Sequence, residues 1–377
     1  MVAVWMALSP CVFGQRVSVG LYDAYNLQSV VVEPQSPGYM VLVGGKKYFL
    51  EPRERVEIVR TGESIRLQVG TQGAETAQHA AIIAANPLAQ LAVEVTGEAI
   101  PARTYDGNLS FYVDFERLMC VNLVDPELYI AAVTLAEVGR GAGIEVYKAQ
   151  ALLVRTYLYA NRSRHIAEGY NLCDEVHCQA YKGSAQEYPL VVDAVKATEG
   201  LVVVDTRGEL ITSVFHANRG GETASASDVW LTDYDFLRSV IDPYCRKSRG
   251  ARWRARVPLE RWKLFLQSKG IETSTIADRS YNYESNRRYG LYGLPGGASV
   301  PFRDLREYFN LRSALFSVRV EGDEVALSGR GYGHGIGLCQ EGAIQMGREG
   351  KRAEEIIKFY FYGVSIVPLE AVHPPSQ

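Results

Sequence analysis

The chain has 377 residues, 47% hydrophobic and 22% charged, and 40 basic against 43 acidic side chains leave a net charge of −3. These proportions exclude a disordered or fibrous chain, and so balanced a charge excludes a protein that lies along nucleic acid over a whole face. The length predicts two domains. Met1–Gly14 is apolar, uncharged and too short to span a bilayer. It reads as the end of a secretory signal cut after Gly14, which predicts export to the periplasm, envelope or exterior; the alternative is a buried first element. No later stretch reaches the roughly 18 apolar residues of a transmembrane helix.

From 15 to 105 the text is short strands broken by turn residues, such as SVVVEP, YMVLVGG, VEIVR and IRLQVG. AAIIAANPLAQLAVEV is ambiguous between helix and strand, because Pro87 interrupts it. A β-rich domain over 15–105 is therefore expected, followed by a mixed domain over 106–370, with a soft boundary and an α+β class overall. Helical periodicity starts at Asp125, a good N-cap, with Pro126 at the first helical position and Glu127 suited to the dipole. Ile130, Val133 and Glu137 share one face of that helix, which the run Gly139–Gly143 ends. A second helix places Ile144, Tyr147, Ala151, Val154 and Leu158 on one stripe. After a loop over 162–185, strands and turns return. The basic stretch RKSRGARWRAR (246–256) reads as a solvated surface loop, with a polyanion site as the alternative. Strands over 314–328, the glycine-rich GRGYGHGIGLCQEGA (329–343) and a helix through EEIIKFYFYG close the chain.

Four pieces could carry chemistry. Glu137 lies on an apolar helix face in the last turn, where burial and the negative end of the dipole both favour the protonated form, as a general acid requires. The bland reading is a helix-end glutamate turned to solvent. Of the six cysteines only Cys173 and Cys178 lie close together. With His177 and the upstream His165 they could close a tetrahedral zinc site, or the two thiols could simply form a local disulfide. FHANRGGET (215–223) is a strand ending in a histidine before an Arg-Gly-Gly turn. The loop at 329–343 carries His334 and Gln340 among glycines, but no βαβ unit surrounds it as a dinucleotide loop would need. Its glycines more naturally let backbone approach a ligand or another loop. No G-x-S-x-G elbow accompanies these loops.

Taken in order, YIAAVTLAEVGRGAGIEVYKAQALLVRTYLYAN (129–161), LCDEVHCQAYKG (172–183), VFHANRGGETASASDVW (214–230) and GRGYGHGIGLCQEGA (329–343) resemble the stage II sporulation protein D family, which includes amidase enhancers. FRDLREYFNLRSALFSV (302–318) resembles its weaker segment, so about 105–368 is covered. The chain departs from the family pattern at Glu137-Val138-Gly139, where Glu-Met-Pro is usual, and at Cys339, where a serine is common. The resemblance implies an α+β catalytic domain with a groove between lobes, and a lytic transglycosylase that cuts the MurNAc–GlcNAc bond of peptide-stripped peptidoglycan strands. Glu137 is then the general acid/base. Gln150, Arg155, His216, Gly220, Gly221, Thr223, His334 and Gln340 are the implied substrate-binding residues, with His216, His334 and Gln340 in one groove with Glu137. His165, Cys173, His177 and Cys178 are the implied ligands of a structural zinc ion. A cell-wall amidase is the implied partner if the chain is instead a non-catalytic activator, and a glycan-binding envelope module is the third reading.

Overall fold

The computed structural model describes residues 16–230, 232, 234–245, 251–284 and 290–372; the leader read at Met1–Gly14 and residues 246–250 of the basic stretch lie outside them. The chain forms two compact units that interleave in sequence. One holds the chain up to Arg140 together with Leu158–Glu199, the other Gly141–Tyr157 and the chain from Gly200 onward.

The first unit is β-rich because its sequence alternates. In Ser64–Val69 the side chains of Ile65, Leu67 and Val69 are fully buried, while Ser64, Arg66 and Gln68 face outward. Twelve strands between Val17 and Val124 build a seven-stranded and a six-stranded sheet, the larger one completed by a short later strand. In the larger sheet β1 (Val17–Leu21) and β2 (Asn108–Asp114) flank β3 (Arg117–Val124), all antiparallel. The ambiguous stretch around Pro87 is two strands, His79–Ala84 and Gln90–Val95, with the proline in the turn between them. Residue 105, the expected domain boundary, lies inside the strand Arg103–Asp106, and sheet structure continues to Val124.

Helix α1 (Pro126–Val138) follows. Asp125 caps it by accepting from the N–H groups of Glu127 (2.8 Å) and Leu128 (3.4 Å), and Gly139 ends it at a positive φ of 76°. The chain then enters the second unit through α2 (Ile144–Ala160), whose last turn belongs again to the first. Beyond it β4 (Leu172–Cys173) adds to the larger sheet, parallel to β1 through Val19↔Leu172 and Gly20↔Cys173. Helix α3 (Pro189–Lys196) packs on α1.

In the second unit β5 (Phe215–His216) is a two-residue strand. A three-stranded sheet of β6 (Arg252–Pro258), β7 (Phe316–Glu321) and β8 (Glu324–Arg330), with β8 in the centre, has its own core around Trp262, Phe265, Tyr292, Phe302 and Phe316. Part of the stretch read as a solvated loop is thus a regular strand: Trp253 and Val257 turn into this core, which periodicity over so few residues did not announce. The glycine-rich segment ends in β9 (Leu338–Cys339), then α4 (Gln340–Arg348) and α5 (Ala353–Tyr360).

Candidate functional site

Glu137 sits in the last turn of α1, on the face of the fully buried Ile130 and Val133. The side chain is half-buried, and its Oε1 accepts from the backbone N–H of Ala180 at 2.9 Å. Burial pushes its pKa above the ordinary carboxylate value, outweighing the Ala180 hydrogen bond and the Lys182 ammonium, which both pull it down. Ala180 and Lys182 belong to the loop 172–183, so the second motif holds the carboxyl of the first. The same loop is fixed to the sheet by Tyr181, whose hydroxyl donates to Asn122 at 2.7 Å, and by the buried Asp174, which pairs with Arg103 at 3.4 Å.

At the other end of this loop, His165, Cys173, His177 and Cys178 place one potential ligand atom each within 4.8 Å of one another. Cys173 and Cys178 are thiols, not a disulfide. Their sulfurs lie 3.8 and 3.9 Å from His177 Nδ1. Zinc bonds of about 2.0–2.3 Å in a tetrahedron set ligand atoms roughly 3.5–3.8 Å apart, so these separations would have to close by a few tenths of an ångström around that ion. His165 Nδ1 lies 2.6 Å from a Glu168 carboxylate oxygen and donates to it, which turns the lone pair of Nε2 inward. That Nε2 is buried with no hydrogen-bond partner among the described residues, as a metal-directed nitrogen backed by a carboxylate would be. Arg164 donates to His177 Nε2 at 3.1 Å, so ligation through Nδ1 would require this exposed arginine to swing away.

In the second unit the third and fourth motifs are knitted together. β5 and β9 pair in parallel through Phe215↔Leu338 and His216↔Cys339, and Asn218 bridges to Tyr332. His216 Nδ1 donates to the Ile336 carbonyl at 3.0 Å. His334 takes the N–H of Ile336 on Nδ1 (3.1 Å) and gives its Nε2 proton to the Phe215 carbonyl (2.9 Å). The two rings meet edge to face at 5.4 Å, with Trp230 beside His334 at 5.9 Å. Glycine makes this fit possible. At Gly331 a Cβ would lie 2.7 Å from the Asn218 carbonyl oxygen, and at Gly220 it would lie 2.5 Å from the Arg330 Cβ. Gly221 is buried beside Gly220, and Thr223 is buried where its backbone N–H donates to the Val240 carbonyl at 2.9 Å. Gln340 is half-buried at the first position of α4. Gln150 and Arg155 lie on the inner side of α2, 1% and 0% exposed, and Arg155 donates to the Leu201 carbonyl at 3.1 Å.

Several residues that hold these loops were not singled out from the sequence. Asn218 donates to Glu341 (2.6 Å) and accepts from the Gly220 N–H (2.7 Å). Arg219 makes a fully buried ion pair with Asp242 (2.6 Å), and its guanidinium stacks 4.4 Å from the Tyr360 ring. Arg219 was legible only as a turn residue, and nothing in the text around Asp242 marks it as its partner.

Residues 115–204 match the family model described as "Stage II sporulation protein". The chain is 28% identical over 261 residues to stage II sporulation protein D of Bacillus subtilis (strain 168), covering 65% of this chain and 75% of that protein. It is 29% identical over 258 residues to the protein of the same name from Bacillus amyloliquefaciens, covering 64% and 73%. To the amidase enhancer of Bacillus subtilis (strain 168) it is 24% identical over 275 residues, 59% of this chain but 38% of that longer protein.

Proposed function

We propose, from its similarity to the stage II sporulation protein D family, that the chain acts on the cell wall as a peptidoglycan lytic transglycosylase. The observation that carries the reading is Glu137, a half-buried carboxyl that accepts from the Ala180 N–H and is biased toward its protonated form. Hydrolytic glycosidases generally use two carboxylates. One suffices when the sugar supplies its own nucleophile. Glu137 gives its proton to the glycosidic oxygen as the C1–O bond of muramic acid breaks. Its carboxylate then takes the proton of the C6 hydroxyl as that oxygen bonds to C1, leaving a 1,6-anhydro end and consuming no water.

We further propose that His165, Cys173, His177 and Cys178 hold one zinc ion. Four protein ligands close its shell, so the ion orders the loop that carries Ala180 and takes no part in bond cleavage. His216 and Gln340 would offer the sugar hydrogen-bonding surface from the knitted loops, while His334, whose two ring nitrogens are taken by the Ile336 N–H and the Phe215 carbonyl, would offer only its ring face. The site of action is the envelope, where peptidoglycan lies; no helix among the described residues is long and apolar enough to cross a membrane. Mass spectrometry of peptide-free glycan strands after incubation tests the reading: anhydro-disaccharide ends are expected from the parent chain and are lost in Glu137→Gln, and their absence from the parent would end it. The similarity to an amidase enhancer favours a second reading, stimulation of a cell-wall amidase. Under that reading Glu137→Gln stimulates the amidase as well as the parent does.

A further inference from the structure

Arginines at alternate positions of β6, Arg252, Arg254 and Arg256, point to one face of the three-stranded sheet. The register sets Arg330 of β8 directly opposite Arg252, and Ser328 opposite Arg254. The other face is the core side, with Trp253, Val257, Leu327 and Phe316. A polar outer face is ordinary for an antiparallel sheet, but here its carboxylates, Glu321 and Glu324, gather at the Arg256 end and leave arginines alone at the other. Arg256 shows what the protein does with an arginine it neutralises: Glu324 and Glu321 lie 2.8 Å from it. Among the described residues no carboxylate pairs with Arg252, Arg254 or Arg330, although like charges opposite each other on neighbouring strands repel.

These three arginines line a hollow of ≈ 590 Å³ with Trp253, Ser328 and Gly329, and Arg252 and Arg330 also line a smaller one of ≈ 280 Å³ with Gly220 and Ala251. The volume is that of a ligand site, and it abuts the Arg-Gly-Gly turn of the third motif. We propose that Arg252, Arg254 and Arg330 form a carboxylate-binding subsite for the glycan, taking the lactyl carboxylate of a muramic acid whose stem peptide has been removed. The assignment rests on the transglycosylase reading for its choice of substrate. Guanidinium forks bind carboxylates in two parallel hydrogen bonds. While the stem peptide is attached, that carboxyl is a neutral amide and offers no charge to bind. The subsite therefore reads whether an amidase has already acted on the strand.

Calorimetric titration of the full chain tests this, with Glu137→Gln as background so that strands are not consumed. Peptide-free strands are compared with the same strands carboxyl-amidated, and with a phosphodiester polymer. Peptide-free strands should bind more tightly than amidated ones. Arg252→Gln/Arg330→Gln should lose about 10- to 100-fold in affinity for the carboxylate strands and nothing for the amidated ones. Arg254→Gln should weaken binding in the same selective way, and the ion-paired Arg256→Gln should leave it unchanged. Equal binding of both strand types, no binding of either, an undiminished double variant, or preference for the phosphodiester polymer would each overturn the subsite. Arginine-dependent carboxylate binding by a chain that releases no anhydro ends would instead leave the subsite standing and remove the catalytic reading.

Discussion

Glu137 combines two demands that its neighbours set against each other. Burial favours the proton, while the Ala180 N–H and Lys182 favour the anion, and burial prevails. The consequence for stability has a definite sign. A folded pKa above the unfolded one means that stability is complete below the unfolded pKa and declines as pH rises through the folded one. Glutamine has no such proton to lose and still offers an oxygen to Ala180. Glu137→Gln should therefore melt with the parent in mild acid and above it at neutral pH, while anhydro-product formation drops about 100-fold or more. Parallel thermal melts and product analysis check both halves; a variant that melts below the parent at neutral pH would mean the carboxylate is stabilised where it lies. Parental activity, in turn, should fall on the alkaline side as Glu137 loses its proton. This residue was legible in the sequence because helical spacing is a local rule and Asp125 and Pro126 fix the phase. Arg219 and Asp242 were not, since their pairing depends on two loops meeting in space.

At the scale of elements, the two-residue strands β5 and β9 are too short for any periodicity to reveal, yet they join the motifs that carry His216 and His334. The glycines of 329–343 were read as allowing close approach to a ligand or another loop, and the contact of Gly331 with the Asn218 loop is such an approach. Gly337 makes the point measurable. It has φ +71°, and a Cβ there would stand 2.2 Å from the Val214 carbonyl oxygen; Gly350 has φ +82° with open space around it. Gly350→Ala should cost about 1 kcal/mol, the backbone penalty alone, and Gly337→Ala about 3 kcal/mol, because β5 must also move. Urea unfolding of the two variants separates the terms, and equal losses would refute the close approach. The loop 172–183 was legible as a ligand cluster but not as the clamp on Glu137. Elemental analysis of untagged protein should find about one zinc per chain. Chelation or Cys173→Ser should remove it and lower the melting midpoint by about 5 °C or more. Metal-free protein as purified would discard the zinc proposal.

The whole molecule departs furthest from what a linear reading can show. A single boundary was expected, whereas the chain leaves its first unit after Arg140, returns at Leu158 and leaves again after Glu199. The β-rich character was readable from alternation within each strand. The core around Trp262 was not, because it gathers residues from Trp253 to Leu327 through long-range contacts. A fragment 16–199 contains the whole first unit, with 141–157 as an insert, and should give dispersed amide NMR signals. A fragment 16–140 lacks β4 and α3 and should not; well-dispersed spectra from the shorter piece would show that the returning segment is dispensable.

The parallel pairing of β4 with β1 also sets a timetable. As the chain is synthesised, β1 precedes its partner β4 by roughly 150 residues. At 5–20 residues per second this is on the order of ten seconds. For roughly the last 50 residues of that interval, after β3 has been made and can pair with β1, one edge of the large sheet offers unpaired N–H and C=O groups to any neighbouring chain. Slower elongation lengthens the time for which that edge waits for Leu172 and Cys173.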